Sequence, residues 1–100
     1  MKRITHWIGG KPWTGTAERQ GDVHNPATGE VSGHVDFATA DDVNAAVATA
    51  REAFPAWRDT SLAKRANILF AFRELVRRNQ DELAALISSE HGKVQSDAAG

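Results

Sequence analysis

The alternation of apolar and polar positions changes period near residue 39. Before that point the runs are short and extended. Ile4-Thr5-His6-Trp7-Ile8 alternates β-formers and ends at Gly9-Gly10, which predicts a hairpin turn. Pro12-Trp13-Thr14 can return as a strand, and Asp22-Val23-His24 is a third extended piece. Asn25-Pro26-Ala27-Thr28-Gly29 predicts a turn. The proline pushes Asn25 out of helical space and presets its own φ, and Gly29 can take positive φ. Glu30 to Asp36 alternates as a fourth strand. Residues 1–38 therefore predict a small antiparallel β-element.

From residue 39 onward the period is helical. Thr39 is placed to cap a first helix, with Asp41 and Asp42 in its first turn, where the helix dipole favours acids. Val43, Ala46, Val47, Ala50 and Phe54 share one face. Pro55 is expected to end this helix, leaving Ala56-Trp57-Arg58-Asp59 as a connector. Thr60 or Ser61 caps a second helix striped by Leu62, Ala66, Leu69, Phe72 and Val76. Ile68 and Leu75 widen the stripe, so burial on two sides is expected. Asn79 with Glu82 predicts a capping box for a third helix that buries Leu83, Leu86 and Ile87 and stops at Gly92. Val94 to Gly100 reads as the opening of a fourth helix with no stop signal, so the chain is expected to be the first part of something larger.

Composition excludes several classes. The chain has 100 residues, enough for one modest core, with 12 Lys and Arg against 13 Asp and Glu. That balance demands neither nucleic acid nor an acidic membrane. No apolar run is long enough for a signal peptide or a membrane span. The absence of cysteine removes disulfides, thiolate metal sites and a thiol nucleophile from these residues, and fits a reducing cytoplasm.

Candidate chemistry is thin. Ser61 reads as a cap, and Ser88 and Ser89 lie on a polar helix face without a nucleophile elbow. His6, His24, His34 and His91 lack metal-ligand spacing, although His24 and His34 could face each other across the Asn25–Gly29 turn. Gly9-Gly10-Lys11 and Gly92-Lys93 are only fragments of a phosphate loop, and no dinucleotide fingerprint occurs. Lys64, Arg65, Arg73, Arg77 and Arg78 share one helix, but it is too apolar for a nucleic-acid groove and is followed at once by Asp81 and Glu82. Glu90, just before Gly92-Lys93, is the one acid to keep as a candidate.

The order of these segments resembles the N-terminus of the aldehyde dehydrogenase superfamily. The resemblance rests on Trp7-Ile8-Gly9-Gly10-Lys11, Asn25 to Val31, Ala40 to Val43, Ala53-Phe54-Pro55-Ala56-Trp57, Arg65 with Leu69, Asn79 to Leu86, and Glu90-His91-Gly92-Lys93. Phe54 to Arg58, Thr60 to Arg65, Leu69 to Leu75, Glu90 to Val94 and Ser96-Asp97-Ala98 resemble its CoA-acylating methylmalonate-semialdehyde branch. Succinate-semialdehyde and betaine-aldehyde members resemble the chain less in Leu69–Leu75. The fold implied is α/β: the N-terminal part of an NAD-binding domain, with short antiparallel strands followed by three amphipathic helices. The activity implied is NAD-dependent oxidation of an aldehyde through a covalent thioester, released to coenzyme A as propionyl-CoA or acetyl-CoA, in a cytoplasmic homotetramer. Valine catabolism is the setting this branch implies.

Under this resemblance the nucleophile, general base, oxyanion donor and cofactor glycines belong to segments outside these residues, so no catalytic, cofactor-binding or metal residue is assigned. Val43, Val47, Leu69, Phe72, Val76 and Leu86 are expected to pack. Some relatives hold a monovalent cation at positions matching the Val23 and His24 backbone and Glu90; a carboxylate that simply serves its own helix end is the preferred reading. A truncated, non-catalytic paralogue that only binds other subunits stays open as an alternative.

Overall fold

The computed structural model describes all 100 residues, as five strands and four helices. They fall into two units, one formed by Met1–His24 with Val31–Asp59 and the other by Asn25–Glu30 with Thr60–Gly100.

The first unit holds β1 (Lys2–Ile4), β2 (His6–Ile8), β3 (Lys11–Trp13), β4 (Gln20–His24), β5 (Val31–Asp36) and α1 (Ala40–Asp59). The Ile4–Ile8 run divides at Thr5. β2 turns through Gly9-Gly10 and pairs antiparallel with β3, with Trp7 opposite Pro12. β1 instead joins a three-stranded sheet in the order β1-β5-β4. There it lies parallel to β5, with Lys2 opposite Gly33 and Ile4 opposite Val35. The all-antiparallel expectation is corrected at this strand. Alternation reports which face a residue occupies, not which partner its backbone finds. Gly33 permits the approach, because a Cβ there would stand 2.7 Å from the Lys2 carbonyl oxygen.

β4 pairs antiparallel with β5, with Gln20 opposite Asp36 and Asp22 opposite His34. An irregularity between Val23 and His24 places His24 opposite Val31. His24 and His34 therefore do not face each other across the strands. His34 Nδ1 instead lies 3.1 Å from Asp22 Oδ1.

At the start of α1, the Asp42 N–H donates to Thr39 Oγ1 (3.2 Å) and the Thr39 N–H donates to Asp42 Oδ2 (3.0 Å). This reciprocal pair satisfies two donors that the helix end would otherwise leave free. Pro55 does not stop α1, which continues to Asp59 and absorbs the expected connector. A proline's own φ is helical. What it removes is one donor toward the carbonyl four residues earlier, with a clash there, so the residues beyond it can keep winding. Replacing Pro55 with Ala is expected to stabilise α1 by up to about 3 kcal/mol. Slower amide exchange around Arg51 to Ala56 would show it, and unchanged exchange would refute it.

The second unit holds α2 (Leu62–Arg78), α3 (Gln80–His91) and α4 (Gln95–Ala99), with the Asn25–Glu30 turn. In that turn Asn25 Oδ1 accepts the Ala27 N–H at 2.8 Å, and the Gly29 N–H donates to the Asn25 carbonyl at 2.8 Å. Ser61 caps α2 by accepting the Lys64 N–H. Asn79 does not form the expected capping box with Glu82. Its amide Nδ2 donates to the Leu75 carbonyl at 2.7 Å, and its side chain makes no cap bond to α3. A single residue joins the two helices, and its side chain serves the end of the first. Gly92 closes α3 at φ 84°. The fourth helix is present as one short segment. Gln95 Nε2 donates to the Asp81 carbonyl and Gln80 Nε2 to the Ala99 carbonyl, which fasten α4 to α3.

Ala84 is the one buried apolar residue; the other buried side chains are Asp36 and Asp42. The expected two-sided burial of α2 is therefore not found: Leu69 is 60% and Phe72 62% exposed. Val43, Val47 and Phe54 on α1 are also more than half exposed.

Candidate functional site

The two buried carboxylates organise the first unit. Asp42, in the first turn of α1, accepts the Trp13 indole N–H at 3.0 Å and the Thr39 N–H at 3.0 Å, and the Thr16 backbone also bonds to it. The Trp13 bond, then the Thr39 backbone bond, hold its pKa down at about 2, below the ordinary 3.8. Gly15 lies beside this carboxylate at φ 60°, and a Cβ there would come within 2.8 Å of Asp42 Cγ. The carboxylate thereby fastens the end of the β2–β3 hairpin to the start of α1.

Gly15→Ala combines positive φ with that overlap. It is expected to cost at least 2 kcal/mol, on the order of a strained backbone position, and to expose Trp13. A variant whose Trp13 emission and amide protection match the parent would refute this packing.

Asp36 closes β5. Arg3 on β1 reaches it with Nε at 3.1 Å and Nη2 at 2.7 Å, and Gln20 Nε2 on β4 donates at 2.9 Å. The hydrogen bonds from Arg3 and then Gln20 depress the Asp36 pKa, and the same pairing raises that of Arg3. One carboxylate therefore spans all three strands of the sheet. His6 lies close enough to add to the depression, while its Nε2 is buried without a hydrogen-bond partner.

Neither carboxylate is arranged for acid–base work. Their acceptor positions are filled by backbone and side-chain donors, and their pKa values move away from neutrality rather than toward it. They are joints. Sequence reasoning placed Asp42 at a helix start and missed its tie to Trp13; it missed Asp36 as a buried group altogether. One signal was available for Asp42, the Thr39-x-x-Asp42 spacing of a capping box with an acid in its last position.

The other candidates have local partners or none. Ser61 is a cap, Ser89 Oγ donates to the Leu86 carbonyl, and Ser88 Oγ is buried without a partner. No group of three or more His, Asp or Glu side chains could hold a metal ion. Among the α2 cations, Arg73 pairs with Glu74, Arg77 and Arg78 lie in the last turn, and the Arg65 Nε is buried without a partner. Glu90 is exposed near the end of α3, in the second unit. Val23 and His24 lie on β4 in the first unit, where the Val23 carbonyl accepts the Ser32 hydroxyl at 3.1 Å. The glycines with positive φ are Gly9, Gly10, Gly15, Gly29 and Gly92, which serve turns and a helix end and form no continuous phosphate-binding loop.

What the structure does present is apolar surface. An open groove of about 340 Å³ runs between β2 and α1, lined by Trp7, Ile8, Val43, Ala46 and Val47 among others. A second, between α2 and α3, is lined by Phe72, Leu75, Val76 and Leu83 with Asn79 and Glu82.

Comparison with known proteins gives these surfaces a context. A family model described as the aldehyde dehydrogenase family matches residues 13–100. The human mitochondrial methylmalonate-semialdehyde/malonate-semialdehyde dehydrogenase [acylating] is 44% identical over 94 residues, which are 94% of this chain and 18% of that protein. A malonate-semialdehyde dehydrogenase of Pseudomonas aeruginosa is 43% identical over 100 residues, the whole of this chain and 20% of that one. Among solved structures, a Sinorhizobium meliloti protein described as a methylmalonate-semialdehyde dehydrogenase, complexed with NAD, superposes with a TM-score of 0.96 at 43% identity. That match covers 100% of this chain and 20% of the solved one. The chain thus spans about a fifth of the length of the relatives it matches.

Proposed function

The chain belongs to the aldehyde dehydrogenase family, and from that premise we propose that it is the opening segment of an NAD-dependent, CoA-acylating methylmalonate- or malonate-semialdehyde dehydrogenase. Its share of the work is packing. The observation that carries this reading is the exposed apolar face on each unit, on a chain that matches about a fifth of much longer enzymes. A nicotinamide cofactor and coenzyme A are not fitted by these residues. The turn glycines form no phosphate cradle, so both would be held by other segments, and no reaction step is assigned here. The absence of cysteine likewise leaves the thioester-forming nucleophile to other segments.

The complete enzyme on this reading works in the cytoplasm as a homotetramer, converts the semialdehyde to propionyl-CoA or acetyl-CoA with decarboxylation, and needs neither nucleic acid nor membrane. No helix of the chain is long and apolar enough to cross a membrane. The 40–44% identities to enzymes named for these two semialdehydes support the choice of branch.

The test begins with the intact mass of the natural gene product, followed by NADH formation from malonate semialdehyde with and without coenzyme A. Strong dependence on coenzyme A is expected. Equal rates without it, or preference for succinate semialdehyde, would overturn the branch. A natural product of only these 100 residues would favour the second reading, a non-catalytic partner of complete subunits, which the lack of any cysteine in the chain supports.

A further inference from the structure

We draw no further inference here: the strongest candidate, the apolar face of α2 around Leu69, Phe72 and Val76 with the groove it shares with α3, is an unpartnered surface for which nothing in the structure shows an occupant beyond the packing role already proposed.

Discussion

Alone in solution, the 100-residue chain should bind a hydrophobic dye strongly and lose its helical signal gradually on heating, without a sharp midpoint. The physical reason is the missing core. Ordering costs about 1.5 kcal/mol per residue, and apolar burial is the main term that offsets it. Ala84 is the one apolar residue fully withdrawn from water. Helices without tertiary packing are marginal, and the caps and few side-chain bonds of α1, α2 and α3 do not replace an apolar core. Exposed apolar faces with retained helix are the marks of a molten state.

A paired measurement separates packing surface from incidental exposure. Phe72→Ala in the isolated chain should leave its helical signal and its gradual melting nearly unchanged, as surface substitutions do. In a complete enzyme that covers this face the same change should cost about 3–5 kcal/mol. A cooperative transition of the isolated chain, coincident by circular dichroism and fluorescence, would contradict the first expectation. A small effect in the complete enzyme would contradict the second.

Acid should release Trp13. The folded-state pKa of Asp42 is depressed, so the unfolded chain takes up its proton more readily than the folded one. The stabilisation is therefore complete above the ordinary value of 3.8 and fades as the pH falls toward about 2. Asp36 acts in the same direction, through Arg3 and Gln20. With Trp7 and Trp57 replaced by Phe, Trp13 becomes the only indole and reports its own hydrogen bond to Asp42. Its emission should shift to the red as the pH falls from 3.8 toward about 2. In Asp42→Asn the step should disappear, since no proton is left to bind there. Emission that stays flat down to pH 2 in the parent, or an unchanged step in Asp42→Asn, would show that the carboxylate does not hold the indole.

These two expectations differ in how much of their basis the sequence displayed. The caps at Thr39 and Ser61, the turn at Gly9-Gly10 and the stop at Gly92 were legible because each depends on residues within four positions. The parallel pairing of β1 with β5 was not, because its partners stand some thirty residues apart and alternation names no partner. Trp13 with Asp42 and Arg3 with Asp36 were hidden for the same reason, at separations of 29 and 33. Pro55 misled because a breaker rule describes the turn before a proline, not the winding after it. Asn79 misled because a side chain with two possible helix ends can serve only one. The stripe on α2 was read correctly as apolar, but a stripe cannot reveal whether the surface that covers it lies within the same hundred residues. The family was legible because ordered short motifs survive where single ones carry little.

The central place of β5 sets an order of assembly. The β4–β5 hairpin closes over a short local connection and can form as soon as Asp36 has been made. Lys2–Ile4, which precedes its partner in the chain by some thirty residues, has no backbone partner until then. During that interval β1 stays unattached, and the Asp36 carboxylate gains its guanidinium only when Arg3 arrives with that strand. β1 is thus the closing strand of this sheet. Anything fused just ahead of Lys2 competes with the last step of the sheet rather than with its first.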